Sequence, residues 1–518
     1  MTRRTHPLTA RVWLDWPILL ILVIAAALRV RGIGHDSLWG DEALTILLAK
    51  MSIPDLIKNL IWFEQIPPVH HLTVHFWMMV FGDREAAVRM PSAIAGVAAV
   101  YVGYVLVRRL VGRRIALITA LLMATSPMLI AFSQECRAYS MSVLFGLWSC
   151  DLFIRLMRRP SQRLHVAYVL VTTLLIYTHV YGMFTILAQQ LIYSWRVLQW
   201  WRRGEPLRLR PKEMIRDGIA VLALYSPWIP VVRTWTKAIH AGFWVKKVTF
   251  DDVSRAYWTY SGSTAALIAM TALVVIGIWS WIREGRRHPH PRRRRIGFAM
   301  LLALMFVPVL VPVTISVLTR PSFAPRYAIM STVGMLAIAA IGIATIRPTP
   351  IRWLVLAAVA ILSPFGDAAA IPRAPWRDVG EFLQKNLRAG DLVVIHLRAG
   401  TRLYDYYVNR PDVRRVGMDT VGLPVAFPYE PRRVWLIVYD SFPWYTANQI
   451  IKRHPVKIGR RKFTWGVMAL ELLEDPERVN EIPPIDPTTE TATAPATRAA
   501  TQPAPPTTTT TTTTTAPG

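Results

Sequence analysis

The chain has 518 residues, of which 53% are hydrophobic and 20 are tryptophan, and its mean hydropathy is +0.32. Uncharged runs of bilayer length recur along it, which marks a polytopic membrane protein and excludes a soluble one. The net charge of +28 comes from 60 basic against 32 acidic residues. The basic residues cluster in short loops between apolar runs, so the charge reads as the positive-inside pattern and not as a nucleic-acid footprint.

Taken in chain order, apolar runs near 13–30, 91–107, 115–133, 138–154, 164–180, 183–199, 218–233, 263–282, 296–318, 326–346 and 351–371 each suit a membrane span. That is about eleven helices. The first run follows a basic start but precedes no small-residue cleavage site, so it is expected to stay as a helix. Arginines at 108, 109, 113 and 114, at 155, 158, 159 and 163, between 195 and 216, between 283 and 295, and from 347 to 352 then fall on one side. With Arg3, Arg4 and Arg11 they place the N-terminus in the cytoplasm. Cys136 and Cys150, on one helix 14 residues apart, would lie about 21 Å from each other and cannot bridge.

On the opposite side lie 31–90, 133–137, 179–182, 234–262 and 319–326. The stretch G-H-D-S-L-W-G-D-E-A-L-T at 34–45 sets Asp36, Asp41 and Glu42 directly after the first run. Carboxylates so near hydrocarbon must face water or a protein cavity, which makes them functional candidates. Within 31–90, apolar segments at 44–48 and 69–81 read as two helices lying in the interface, with Trp62 and Trp77 at headgroup depth. Packing accounts for His70, His71 and His75 taken singly. Ser133 is a reasonable N-cap for the fourth helix, with Glu135 in its first turn. Arg137 suits a first-loop carboxylate or a phosphate equally well.

After Ile371 the pattern becomes that of a soluble domain. A helix is expected from Trp376, strands at 392–397, 433–439 and 466–473, and a helix at 445–452, which together make a small α/β domain over 372–480. An odd number of spans places it outside the cytoplasm. It carries no Gly-rich phosphate loop. From 481 to 518 the chain is Pro, Thr and Ala, a composition of disorder.

The motifs S-L-W-G-D-E-A at 37–43, P-P-V-H-H-L at 67–72, R-M-P-S-A-I-A-G at 89–96, S-Q-E-C-R-A-Y-S at 133–140, Y-T-H-V-Y at 177–181 and P-R-Y at 325–327 carry a resemblance. Their order and shared outer placement resemble the GT-C class of polyprenyl-phosphate-sugar glycosyltransferases. Within it they are similar to the bacterial form of the protein O-mannosyltransferase and lipid A aminoarabinose transferase branch. The resemblance implies a helical domain over 1–371 in the cytoplasmic membrane. It also implies transfer of a sugar, with inversion, from a polyprenyl-phosphate donor to a hydroxyl of a protein, lipid or glycan at the outer face. By family position Asp41 is the general base, and Glu42 orients a loop or the acceptor. Arg137 and Arg326 are expected to stabilise the departing phosphate. His70, His71, Gln134, Glu135, His179, Tyr181 and Tyr327 are expected to bind the substrates. Some relatives carry Lys or His before the Pro-Pro pair, where this chain has Ile66, so phosphate contacts must come from elsewhere. No cofactor is assigned, and a divalent ion at Asp41 stays open. The rival readings are a secondary transporter, which should show repeats and helices interrupted at mid-membrane, and a non-catalytic membrane protein with an external domain.

Overall fold

A membrane-length apolar segment has only helix open to it, because a helix satisfies its own backbone without water. The computed structural model describes residues 15–64, 66–234, 248–284, 291–319, 322–362, 373–396, 400–418, 433–439, 456–463 and 468–474, and the described part of each apolar run is mostly helix, while 13–14 and 363–371 lie outside the described residues. The first is α1 (Trp16–Val30). Three short helices follow, α2 (Gly40–Ala49), α3 (Ile53–Asn59) and α4 (Val69–Phe81). Next come α5 (Glu85–Val111), α6 (Arg113–Thr125), α7 (Pro127–Ala131), α8 (Tyr139–Arg158), α9 (Gln162–Thr178) and α10 (Gly182–Arg203). Then α11 (Pro211–Tyr225) continues through a 3-10 turn to Thr234. The helical part closes with α12 (Phe250–Ser261), α13 (Thr264–Glu284), α14 (Pro291–Leu318), α15 (Met330–Thr345) and α16 (Thr349–Leu362). Among the described residues five of these are long and apolar enough to cross a bilayer: α5, α8, α11 with its continuation, α13 and α14.

Three sequence expectations change. The run at 115–133 is two helices, because Ser126 caps α7 by accepting from the Leu129 N–H and Pro127 occupies its first turn. The first outer segment holds three helices where two were expected. Ser52 caps the additional one, α3, and Pro54 sits in its first turn. The fourth span starts at Tyr139, so Ser133 is no N-cap and Glu135 is not in a first turn. The loop before it is held from outside the helix: Ser133 Oγ donates to the Leu129 carbonyl and accepts from Arg29 Nε, and the Cys136 N–H donates to Glu42. The α5 backbone passes so close that a Cβ on Gly96 would collide with Ser133 Oγ.

The C-terminal unit comprises α17 (Trp376–Asn386), β1 (Leu392–His396), α18 (Gly400–Tyr407), β2 (Arg414–Met418), β3 (Arg433–Tyr439), β4 (Val456–Phe463) and β5 (Met468–Glu474). Its sheet has the order β2-β1-β3-β5-β4. β1 runs parallel to β2 and β3, while β5 runs antiparallel to β3 and β4. Sequence reading missed α18, β2 and β4. The expected helix at 445–452 and the tail from 481 lie outside the described residues. Trp376, Val379 and Leu383 share one apolar core with Leu38, Ala43 and Ile46 of the first outer segment. The unit therefore packs onto the helix that carries Asp41 and Glu42. Polar contacts add to this: Arg377 pairs with Glu85, and the Tyr407 hydroxyl accepts from the Leu38 N–H at 2.7 Å.

Candidate active site

The first turn of α2 sends its two carboxylates in different directions, as adjacent helical residues about 100° apart must go. Asp41 keeps 35% of its side chain exposed and lines a cavity of about 290 Å³, whereas Glu42 is fully enclosed. Glu42 receives Arg89 in a two-pronged ion pair, with Nε–Oε1 and Nη2–Oε2 both 2.8 Å, and also accepts from the Cys136 N–H at 2.8 Å. Arg89 spends its other donors on the carbonyls of Ile33, Asp36 and Ser37. That geometry uses the whole guanidinium fork to hold the 33–42 turn in place. Arg373, arriving with the C-terminal unit, stands 3.5 Å from Glu42 and 3.4 Å from Glu135. Burial, then the neighbouring Glu42 charge, raises the Glu135 carboxyl to about 7.

Around the cavity, Arg137 Nη2 lies 3.6 Å from Asp41 Oδ2, and Nη1 lies 3.4 Å from both the Asp41 carbonyl and Thr45 Oγ1. Its Nε is buried without a hydrogen-bond partner. Arg326, from the 3-10 turn before α15, lies over the rings of Trp39 and Tyr327 at 5.7 and 5.5 Å. Tyr181 donates to the Ser322 carbonyl and packs 4.6 Å from the Tyr327 ring. His179 stands between Tyr139 and Tyr327, and its Nδ1 accepts from the Tyr181 N–H. Burial, then the charges of Arg137 and Arg326, lowers it to about 3.

His70 and His71 also line the cavity. Both are buried, with backbone of Cys136 near His70 and of Pro67 near His71, but no ring nitrogen of either makes a well-formed hydrogen bond. Burial, then Arg137, lowers His70 to about 4, and burial with His70 and Arg137 nearby lowers His71 well below its ordinary value. Both are neutral imidazoles at pH 7. At the mouth Glu64 meets Arg402 of α18 at 3.0 Å.

Of the expected site residues, Asp41, His70, His71, Arg137, His179, Tyr181, Arg326 and Tyr327 meet at this cavity. Glu42, Gln134 and Glu135 do not line it. Gln134 donates to the carbonyls of Leu28, Arg29 and Arg31, closing the C-terminal end of α1. Sequence reading missed Arg89, Arg373, Glu64 and Arg402. A lone arginine entering an apolar run was the available signal for Arg89, and the other three carried none. Among the described residues no group of three or more His, Cys, Asp or Glu is placed to share a metal ion.

Residues 65–230 match the family model described as dolichyl-phosphate-mannose-protein mannosyltransferase. ArnT from Cupriavidus metallidurans, bound to undecaprenyl phosphate, has a similar fold. The identity is 12%, the match covers 88% of this chain and 97% of that one, and the TM-score is 0.56. In its apo state the TM-score is 0.57 at the same identity and coverage. The Archaeoglobus fulgidus oligosaccharyltransferase in complex with Zn and sulfate matches over 87% of this chain and 72% of that one, at 12% identity and a TM-score of 0.53. No curated protein sequence matches the chain. The resemblance to polyprenyl-phosphate-sugar glycosyltransferases of the GT-C class, read first from short motifs, thus has a family model behind residues 65–230, which leaves out the motif at 37–43, and a shared fold along most of the chain.

Proposed function

We propose that the chain is a membrane glycosyltransferase that moves a sugar from a polyprenyl phosphate to an acceptor hydroxyl at the outer face of the cytoplasmic membrane. The mannosyltransferase family model and the ArnT-like fold support the enzyme class. One observation carries the mechanism: the half-buried Asp41 carboxylate shares a cavity with Arg137, Arg326 and three neutral histidines. In the reaction Asp41 removes the acceptor hydroxyl proton as the acceptor oxygen bonds to the anomeric carbon. The bond from that carbon to the phosphate oxygen breaks on the opposite side, with inversion. The electron pair leaves with the polyprenyl phosphate, whose growing negative charge Arg137 and Arg326 stabilise. Neutral imidazoles at 70 and 71 each offer one donor and one acceptor, which suits the hydroxyls of a sugar or acceptor.

The membrane arrangement in this reading is eleven spans over 1–371, with the N-terminus cytoplasmic. The 372–480 domain lies outside with the cavity, and the tail over 481–518 follows it. The acceptor is a protein, lipid or glycan hydroxyl. The test is release of polyprenyl phosphate from a short-chain labelled donor by the purified chain. Asp41→Asn keeps shape but cannot take a proton, so single-turnover transfer should fall by a factor of about 100 to 10,000. A folded Asp41→Asn protein that turns over at the wild-type rate defeats the mechanism, and no release by wild type with any such donor defeats the function.

A further inference from the structure

The end of the helical bundle away from Asp41 holds a second, larger cavity of about 870 Å³. The two ends are well separated. α5 carries Arg89 near its start and Val111 in the wall of this cavity, and its 27 residues at about 1.5 Å each span roughly 40 Å, a bilayer's thickness. α15 likewise starts beside the Arg326 turn and reaches this cavity at Thr345.

Five arginines line it: Arg113, Arg114, Arg283, Arg347 and Arg352. No carboxylate stands among the described lining residues. Arg113 is already paired with Asp15 at 2.7 Å. The other four have no carboxylate partner among the described residues. Arg114, Arg283 and Arg347 are exposed and Arg352 is half-buried, but fixing topology does not by itself require four arginines to border one hollow. Four guanidinium groups with no carboxylate partner among the described residues border this space, Arg283 lying over the Trp279 ring at 5.1 Å and Arg352 over the Trp353 ring at 5.9 Å, and each still offers a planar fork of donors to an anion. The start of α6 adds to it. Its N-cap is Gly112, which has no side chain to accept from the first-turn N–H groups, and Arg113 and Arg114 of that turn line the cavity.

What surrounds the cavity is apolar. Trp279, Ile282, Trp353 and Leu354, on the two helices that flank it, are exposed large hydrophobics. The floor is made by α13 and α15, whose backbones meet so closely that a Cβ on Gly277 would collide with the Ile338 carbonyl. A charged hollow bordered by exposed apolar side chains matches a molecule with an anionic head and hydrocarbon tails. The geometry points to a binding site, at this arginine-lined cavity, for the phosphate of an anionic phospholipid, on a face distinct from the site of sugar transfer. The inference does not depend on the chemistry proposed at Asp41.

Native mass spectrometry of the detergent-solubilised full-length chain tests it, with phosphatidylglycerol and phosphatidylcholine added in equal amounts. Phosphatidylglycerol should be retained in clear preference to phosphatidylcholine. The double variant Arg347→Gln, Arg352→Gln should retain it roughly 10- to 30-fold less tightly, and Arg347→Lys, Arg352→Lys should retain most of the affinity. Inorganic phosphate at millimolar concentration should not displace the lipid. Equal retention of the two lipids by the wild-type chain overturns the proposal with no variant needed. Unchanged retention in the charge-removing variant overturns the assignment to this cavity. Displacement by inorganic phosphate replaces the lipid with a soluble anion.

Discussion

Glu42→Gln separates the two neighbouring carboxylates of α2 by what each loses. Glu42 is fully enclosed, as is Arg89, and the pair is joined by two 2.8 Å hydrogen bonds. A neutral amide at this position leaves Arg89 buried without its counter-charge. It also turns an N–H toward a group that is already a donor, either Arg89 or the Cys136 N–H. Breaking one partner of a buried pair costs about 3–5 kcal/mol. Against a total folding stability of about 5–15 kcal/mol, that is roughly a fifth or more. Asp41 has 35% of its side chain exposed, and its contact with Arg137 is a looser 3.6 Å. Asp41→Asn should therefore leave the unfolding temperature near wild type while slowing transfer.

The assay is paired: thermal unfolding of both variants in detergent, followed by size exclusion, and single-turnover transfer on whatever remains folded. The expected result is Glu42→Gln unstable and Asp41→Asn stable but slow. A Glu42→Gln protein with the wild-type melting temperature and a 100-fold slower chemical step would refute the argument. It would place Glu42 in the reaction and Arg89 in a supporting role to it.

Three further outcomes follow from the same geometry. Arg326→Ala should lower donor use by a factor of about 30, equivalent to about 2 kcal/mol for a lost charge-assisted phosphate contact, and Arg326→Lys should lose less; equal donor kinetics in both variants and wild type would remove Arg326 from the site. Glu135, raised to about 7 from 4.5, holds its proton in the folded chain over a window in which the unfolded chain has lost it, so stability should fall as pH rises from about 4.5 to 7 and level off above, by an amount on the order of 3 kcal/mol. Glu135→Gln should flatten that slope in melting temperature against pH, and a slope as steep as wild type would show that another group causes it. For topology, a cysteine placed at Lys385 should react with an impermeant reagent on intact cells and one at Arg203 should not, the native Cys136 and Cys150 being buried; the reverse pattern would put Asp41 inside.

How much of this was legible in the sequence depends on how local the cause is. Spans announce themselves through apolar length and arginine punctuation, so the described part of each apolar run is mostly helical, five of the helices being long and apolar enough to cross a bilayer. The break at Ser126-Pro127 was written in two adjacent residues and was overlooked. The start of α8 was not legible. The Cys136 N–H is held by Glu42, 94 positions away, and Ser133 by Arg29, 104 positions away. In the C-terminal unit β1 and β3 were visible as apolar runs. β2 and β4, R-R-V-G-M and V-K-I-G-R-R-K-F, are edge strands too polar for that signal.

The candidate site was half legible for the same reason. Motif order gathered the right polar residues at one end of the bundle, and helical period separated Asp41 from Glu42. Sequence could not sort those that line the cavity from those that lock its walls. The structure sorts them by what they already touch. Glu42, Arg89 and Gln134 have their donors and acceptors met by protein, Gln134 through three carbonyls and Arg89 through five hydrogen bonds. His70, His71 and Arg137 Nε are buried at the cavity with groups left unmet. A buried polar group without a partner is costly, on the order of 1–3 kcal/mol each. A chain that keeps several around one cavity gains most when a ligand supplies the missing partners. Glu135, which shares the motif with Arg137, stands between the two groups: its Oε1 meets Arg373 of the C-terminal unit at 3.4 Å, its Oε2 is buried without a partner, and it does not line the cavity. Its protonation therefore bears on how that unit sits on the first outer segment rather than on what enters the cavity.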